Sequence, residues 1–157
     1  MSLSLIVPAL NEAHGIIDML QALQPLRDRG CEVIVVDGGS TDHTPVLARR
    51  WCDQVLRAPG GRARQMNAGA EAASGEILCF LHADSYLPEG ADGLIVDGLA
   101  RGRRSWGRFD VTISGTHPML RVIAQNMVRR MQPRIMVVKD MNGNPLIPYK
   151  MLDLMKE

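Results

Sequence analysis

The sequence predicts an α/β fold in which helices cover both faces of a mostly parallel sheet. Short, mostly apolar runs, typical of strands buried on both faces, stand at residues 3–7, 33–36 and 77–81. A segment with helical spacing of apolar residues separates the first two runs, so that strand, helix and strand form a right-handed crossover unit. Polar residues follow closely on each run, at the edge of the sheet where ligands bind in open α/β folds.

Length and composition fit a single domain. The chain has 157 residues, 46% of them hydrophobic, which is enough for one core and too short for two. A net charge of +1 gives no general attraction to nucleic acid or to an anionic membrane. Cys31, Cys52 and Cys79 are odd in number and widely spaced, which predicts reduced, cytoplasmic thiols. No apolar run approaches the roughly 20 residues that span a bilayer, and so the sequence predicts a cytoplasmic protein with at most peripheral membrane contact.

The first strand and helix have clear boundary signals. Pro8 should end the strand, because proline donates no hydrogen bond to a central ladder. Asn11 is a good N-cap, apolar residues recur at helical spacing from Ile16 to Leu26, and Gly30 fits the position after a helix end. These signals predict one amphipathic helix of about 16 residues.

The second strand ends in Asp37-Gly38-Gly39-Ser40-Thr41-Asp42. A carboxylate at a strand end, followed by two glycines that let a ligand approach the backbone, describes a small binding loop. Ser40, Thr41 and Asp42 can cap the helix predicted over residues 45–51. An ordinary tight turn explains the same residues equally well. A short third strand is predicted at residues 55–56.

The helix that begins at Arg62 carries two arginines and two amides in its first turns. These residues are Arg62, Arg64, Gln65 and Asn67. Free N–H groups and the helix dipole favour an anion at such an end. The arginines could equally lie on a solvated face. Small residues from Ala68 to Ala73 predict close packing of this helix on the sheet.

His82-Ala83-Asp84 follows the most apolar run. If the strand continued, His82 and Asp84 would point the same way and could share a divalent ion with phosphate oxygens. The alternative is a polar strand end with Asp84 in a turn. The next helix should begin at Pro88 and end before Gly102.

The character of the sequence changes near its end. A strand is predicted over residues 106–113 and a helix over residues 118–130. Five of the ten methionines fall from residue 131 onward, where residues 135–138 and 146–147 flank Asn142-Gly143 and predict a hairpin. We therefore divide the chain into a domain over residues 1–130 and an atypical C-terminal segment over residues 131–157, expected to form a peripheral hairpin or tail.

Three of these motifs, in this order, resemble those of the family 2 glycosyltransferases, which have the GT-A (nucleotide-diphospho-sugar transferase) fold. They are Ile6-Val7-Pro8-Ala9-Leu10-Asn11-Glu12, Val35-Val36-Asp37-Gly38-Gly39-Ser40-Thr41-Asp42 and Phe80-Leu81-His82-Ala83-Asp84. The Asp-Gly-Gly-Ser variant and the stretches at residues 61–70 and 106–111 are similar to a short bacterial subgroup named selenodomain-associated transferase 2. The resemblance covers residues 1–130.

The resemblance implies a glycosyltransferase that binds a nucleotide diphosphate sugar, of the uridine type, through Mg²⁺ or Mn²⁺. It would transfer the sugar with inversion to an acceptor that the sequence does not identify. The implied nucleotide-sugar site comprises Pro8, Ala9, Asn11, Glu12, Asp37, Gly38, Gly39, Arg62, Arg64, Gln65, Asn67, His82 and Asp84. The metal ion would offset the charge that grows on the departing diphosphate.

The resemblance also implies individual roles. Glu12 would lie near the ribose and Asp37 would face the base. Arg62 or Arg64 would meet the diphosphate. Asp84 would be the metal-binding carboxylate, and His82 stands where the family has its first acid.

The chain departs from the subgroup in its catalytic base. The subgroup's Gly-Asp-Gln motif does not occur in the sequence, and Met131-Gln132-Pro133-Arg134 follows the last predicted helix instead. Asp110 and Asp140 are late acids that could deprotonate an acceptor, and Asp110 is our candidate. The alternative function is nucleotide binding without turnover.

Other enzyme classes fit less well. A nicotinamide-binding fold needs G-x-G-x-x-G where residues 8–12 stand. A haloacid-type phosphatase needs an acid at the position of Gly39. A nucleotidylyltransferase needs a glycine-rich, basic loop after the first strand.

Overall fold

The computed structural model describes residues 2–101, 106–109 and 135–138. The strands are β1 (Leu3–Ala9), β2 (Glu32–Asp37), β3 (Gln54–Arg57), β4 (Ile77–Leu81), β5 (Trp106–Arg108) and β6 (Ile135–Val138). The helices are α1 (Ile16–Ala22), α2 (Gln24–Asp28), α3 (Thr44–Ala48), α4 (Arg62–Ala72) and α5 (Ala91–Arg101).

The strands form one six-stranded sheet in the order β3-β2-β1-β4-β6-β5. The first four strands in this order are parallel, and β6 runs antiparallel to β4 and β5. The chain passes from β1 to β2 and β3 on one side and then returns to place β4 on the other side. In open α/β sheets ligands bind outside the carboxyl ends of the strands at such a reversal, which lies here between β1 and β4.

Alternate residues of the buried strands face two separate cores, which explains why these strands are mostly apolar on both faces. One core contains Leu5, Val7, Val35 and Cys79 of the sheet together with Ile16, Leu20, Leu26, Ala48 and Ile95 of α1, α2, α3 and α5. The other contains Ile6, Val36, Leu78 and Phe80 of the sheet with Met66 and Ala70 of α4. Helices on both faces confirm the predicted fold class.

Helix α4 packs very closely on the sheet. A Cβ atom at Gly69 would overlap Cγ2 of Ile6 and lie 3.0 Å from Cγ2 of Val36. The predicted close packing of the small-residue stretch is therefore confirmed. Because α4 cannot move away from β1 and β2 without losing this contact, its first turn is fixed at their carboxyl ends.

The predicted end of the first strand is wrong. β1 continues through Pro8 to Ala9, alongside β2. The pairing of β1 with β4 ends at Ile6, opposite Phe80. Beyond that point β1 has a strand neighbour on one side only, and such a position tolerates a residue without an N–H donor.

The single long helix predicted after β1 is also wrong, because α1 and α2 are separate. Pro25, in the first turn of α2, has no N–H to donate to the carbonyl four residues earlier, which interrupts the helical bonds. α1 begins after Gly15, and Asn11 is not its N-cap but has a φ of 57°. Gly30 follows the end of α2 with a φ of 91°, as predicted.

Two later helices begin and end at other residues than predicted. α3 spans Thr44–Ala48 and not residues 45–51. α5 begins at Ala91 and not at Pro88, because Gly90 has a φ of 68°, which a helix cannot contain. The predicted starts of α4 and β3 are confirmed within a residue.

The C-terminal segment contributes a strand to the sheet. β6 lies between β4 and β5, with Val138 opposite Leu78 and Ile135 opposite Leu81. The prediction of a peripheral hairpin or tail is therefore wrong for residues 135–138, which extend the sheet beside the buried β4. The strand predicted at residues 106–113 is present at residues 106–108.

The remaining predictions for this end of the chain concern residues outside those that the structure describes. They include the helix at residues 118–130 and the turn at Asn142-Gly143. The division of the chain at residue 130 stays a prediction. Within the described part of the chain, no helix combines the length and the apolar character needed to cross a bilayer.

Candidate functional site

Asp37 ends β2 and organises the loop that follows. Its side chain is buried, with 3% of its surface exposed. One carboxylate oxygen accepts the N–H of Gly39 at 3.1 Å, and the N–H of Ser40 lies 3.1 and 3.2 Å from the two oxygens. Gly39 has a φ of 96°, which glycine adopts without strain. The segment is therefore both a tight turn and a glycine-rich loop, and hydrogen bonds to the Asp37 carboxylate stabilise the turn.

The loop after β1 is tied to the loop after β2. The Asn11 N–H donates to Oγ of Ser40 at 2.9 Å, and Oδ1 of Asn11 accepts the N–H of Thr41 at 2.9 Å. One residue later, the Glu12 N–H donates to Oγ1 of Thr44 at 2.8 Å. These bonds fix Asn11 and Glu12 beside the Asp37 loop, at the carboxyl edge of the sheet.

Asp42 adds a second tie that the sequence analysis missed. One of its oxygens accepts the N–H of Ala13 at 3.1 Å, and the other accepts the N–H of Thr44 at 3.0 Å and the Thr44 hydroxyl. The hydroxyl bond is the largest cause that lowers the pKa of Asp42 below its usual value. The Asp-x-Thr spacing before a helix signals the local bonds to Thr44, but no local pattern signals the bond to Ala13.

Helix α4 starts directly beside the Asp37 loop. Gly61 precedes it with a φ of 123°, and a Cβ atom at Gly60 would lie 3.4 Å from the carbonyl oxygen of Gly38. Arg62 and Arg64 are exposed at this end of the helix. The free N–H groups of the first turn and two cationic residues thus lie at the same sheet edge as Asp37, an arrangement that favours an anionic ligand.

Gln65 lies inside the protein, with 4% of its surface exposed. Its side-chain nitrogen donates to the carbonyl oxygens of Ala9 and Val36, at 2.8 Å each. The carbonyl of Ala9 also accepts the N–H of Gly38 at 2.9 Å. Gln65 therefore joins α4 to the last residues of β1 and β2. Asn67, two residues on, is half-buried.

His82 and Asp84 follow β4 at the same edge. β4 ends at Leu81, so the alternation that would direct both side chains to one side does not apply. The chain turns instead, with the N–H of Ser85 donating to the carbonyl of His82 at 3.0 Å and its hydroxyl donating to Asp84 at 3.1 Å. Asp84 is exposed and His82 is half-buried.

This donor set fits a divalent ion that is shared with a ligand. Asp84 offers a carboxylate and His82 an imidazole, whereas Mg²⁺ typically takes one or two carboxylates and completes its shell with phosphates and water. Among the residues that the structure describes, no group of three or more His, Cys, Asp or Glu is placed to hold an ion.

Asp110, the predicted base, and its alternative Asp140 lie outside the described residues. Phe109, directly before Asp110, is half-buried and packs against the core that contains α1 and α5.

Comparison with known proteins decides the family. The family described as Glycosyl transferase family 2 matches residues 4–151. The chain belongs to this family. The match extends beyond residue 130, farther than the sequence motifs indicated, and includes β6.

Curated relatives in this family match part of their own length. Glycosyltransferase AglE of Haloferax volcanii is 36% identical over 90 residues, which cover 52% of this chain and 30% of the relative. Succinoglycan biosynthesis protein ExoA of Rhizobium meliloti is 29% identical over 111 residues, covering 64% of this chain and 34% of the relative. The chain thus spans about a third of these relatives.

Solved structures confirm the GT-A fold. Glucosyl-3-phosphoglycerate synthase from Mycobacterium tuberculosis, in complex with Mn²⁺, UDP and glucosyl-3-phosphoglycerate, is 25% identical with a TM-score of 0.65, over 88% of this chain and 56% of the synthase. Mannosyltransferase PcManGT from Pyrobaculum calidifontis, in complex with GDP-Man and Mn²⁺, is 25% identical with a TM-score of 0.64, over 87% of this chain and 44% of that one.

Proposed function

We propose that this family 2 member binds a nucleotide diphosphate sugar at the carboxyl edge of its sheet and transfers the sugar to an acceptor. The observation that carries the proposal is the convergence of four chain segments at this edge. Hydrogen bonds join the loops after β1 and β2 and the first turn of α4, and the loop after β4 follows a parallel neighbour of β1 at the same edge, where the strand order reverses. Solved relatives that contain UDP or GDP-Man with Mn²⁺ support the same ligand class.

The nucleoside would lie against the loops after β1 and β2. We assign Pro8, Ala9, Asn11, Glu12, Asp37, Gly38 and Gly39 to this part of the site. The bonds from Asn11 and Glu12 to Ser40 and Thr44 hold these loops together before any ligand arrives. Such preorganisation lowers the entropy cost of binding, which supports the assignment.

The diphosphate would lie between the start of α4 and the end of β4. Arg62, Arg64 and Asn67 are the proposed contacts from the helix, where free N–H groups also favour negative charge. Asp84 and His82 would hold Mg²⁺ or Mn²⁺. A divalent ion there would offset the charge of the departing nucleoside diphosphate.

The finer assignments are also proposals. We infer a uridine nucleotide as the donor, inversion at the sugar carbon, and Asp110 as the base that deprotonates the acceptor hydroxyl. The complex of one relative with UDP supports uridine, and the complex of another with GDP-Man makes a guanine nucleotide the competing donor.

A screen of nucleotide sugars tests the proposal. The full chain is incubated with UDP-sugars and GDP-sugars, with Mn²⁺ or with a chelator, and products are detected by mass spectrometry. We expect a UDP-sugar to be consumed in a metal-dependent manner. Metal-dependent binding of UDP without transfer or hydrolysis would support a nucleotide-binding protein without turnover. Failure to bind any nucleotide would contradict the proposal as a whole.

A further inference from the structure

The side-chain nitrogen of Gln65 is bonded to backbone groups beside the candidate site. Carbonyl oxygens can only accept hydrogen bonds, and so the side-chain nitrogen of Gln65 must face Ala9 and Val36. Both N–H groups of the amide are thereby used inside the protein. Ala9 is the last residue of β1 and Val36 the residue before the end of β2, so both carbonyls lie next to the loops assigned to the nucleoside.

The backbone of the Asp37 loop fits around this amide. A Cβ atom at Gly38 would lie 2.9 Å from both Cδ and Nε2 of Gln65 and 3.1 Å from Oε1. A Cβ atom does not come this close to another atom, so any residue larger than glycine at position 38 would require the Gln65 amide to shift. The Gly38 N–H in turn donates to Ala9, the carbonyl that Gln65 also bonds. The position of the Gln65 amide and the backbone conformation of the Asp37 loop therefore depend on each other.

We propose that Gln65 is a positioning residue that holds the ends of β1 and β2 at a fixed separation and thereby places the Asp37 loop for the nucleotide. This differs from the direct ligand contact that the sequence resemblance implied for Gln65. The inference rests on the proposed nucleotide site. It predicts that losing the amide changes the loop before any ligand is present.

The test compares Gln65→Ala with Gln24→Ala, a matched control. The Gln24 side chain also donates to two backbone carbonyls, those of Leu20 and Trp51, at 2.8 and 2.9 Å. Trp51 precedes β3, so these bonds lie at the amino ends of the strands, away from the candidate site. Both variants remove two bonds to backbone carbonyls, at opposite edges of the sheet, and Gln24→Ala also removes the bond that Oε1 of Gln24 accepts from Arg27 at 3.0 Å.

Two readouts separate positioning from mere stability. Calorimetry with UDP and Mn²⁺, at a temperature where both variants are folded, should show about tenfold weaker binding for Gln65→Ala and unchanged binding for Gln24→Ala. In the ligand-free protein, the backbone amide NMR resonances of Gly39 and Ser40 should shift in Gln65→Ala only. Unshifted resonances with weakened binding would indicate a direct ligand contact and overturn the inference.

Gly38→Ala provides a second test that retains Gln65, for the case that Gln65→Ala does not fold. The added methyl group would displace the amide, so UDP binding should weaken about tenfold and, in the ligand-free protein, the side-chain amide resonances of Gln65 should shift. Gly93→Ala is the control, since a Cβ there meets no atom within 4 Å. Unchanged affinity and resonances in Gly38→Ala would overturn the inference.

A wild-type chain that does not bind UDP would contradict the proposed function instead, while the ligand-free resonances would still decide the role of Gln65.

Discussion

The side-chain oxygen of Asn11 accepts the backbone N–H of Thr41 at 2.9 Å and so ties the loop after β1 to the loop after β2. Asn11 also has a φ of 57°, in the left-handed region that most side chains avoid. Asparagine tolerates this conformation better than most residues, and its amide can bond nearby backbone groups. One residue therefore supplies both the turn and the tie.

Replacing Asn11 should separate these two contributions. Asn11→Gly keeps the backbone conformation and loses the tie, whereas Asn11→Ala loses the tie and adds strain. We expect the free energy of unfolding of the alanine variant to be lower than that of the glycine variant by about 1 kcal/mol. Urea denaturation measures the difference. Equal losses in the two variants would show that the left-handed turn does not matter for stability.

The bonds to Asp42 should make stability depend on pH. Its pKa is lowered in the folded chain, chiefly by the Thr44 hydroxyl, so its contribution is complete above the ordinary carboxyl pKa and is lost as the pH falls through the folded pKa. Asp42→Asn should therefore lower the melting temperature at neutral pH. The difference in melting temperature between Asp42→Asn and the wild type should become smaller below about pH 4. A gap that is constant across this range would contradict the role of the charge.

The contact of α4 with the sheet predicts opposite effects of two glycine substitutions. Gly69→Ala should lower the free energy of unfolding by roughly 1–3 kcal/mol, because the methyl group would overlap Ile6 in a closely packed core. Gly98→Ala, in α5, meets no atom within 4 Å and should raise it by about 0.5–1 kcal/mol through helix propensity. Chemical denaturation of both variants tests the pair. A Gly69→Ala variant with an unchanged or higher free energy of unfolding would contradict the close packing of α4 against Ile6 of β1.

The cysteines should be unreactive in the native protein. Burial raises the pKa of the Cys79 thiol to about 12 and raises the pKa of Cys31 and Cys52, so few thiolates are present at neutral pH. Ellman's reagent should label all three thiols in denaturant and label the native protein far more slowly. Labelling of a native cysteine at the rate of a free thiol would contradict the burial of these side chains.

Local sequence patterns predicted the parts of the fold that depend on local periodicity. Strands β1, β2 and β4 are buried on both faces, and the mostly apolar residues 3–7, 33–36 and 77–81 indicate this directly. The order of polar motifs after these strands also predicted which segments meet at one edge, because the carboxyl ends of parallel strands lie together. The break between α1 and α2 had a local signal in Pro25 that the strong apolar periodicity obscured.

Contacts between distant segments could not be predicted in the same way. β6 pairs with β4 from more than fifty residues away, and nothing in its four apolar residues specifies that neighbour. The bond from Ala13 to Asp42 crosses 29 residues. Gln65 resembled a ligand contact in a polar helix start, whereas its burial follows from the tertiary position of α4.

Asp84 is central to the proposed metal site. Asp84→Asn keeps the size of the side chain and removes the charge that a divalent ion needs. Glu71→Gln, another exposed carboxylate that lies in the last turn of α4, is the matched control. Both variants are expected to unfold at the wild-type temperature, since neither carboxylate is buried.

Calorimetric titration of UDP, with Mn²⁺ and with a chelator, tests the central claim most directly. The wild-type chain and Glu71→Gln should bind UDP about tenfold or more tightly when Mn²⁺ is present. Asp84→Asn should bind UDP with the same weak affinity in both conditions. Equal affinity of the wild-type chain with and without Mn²⁺, or an undiminished Mn²⁺ effect in Asp84→Asn, would contradict a metal-assisted diphosphate site at the end of β4.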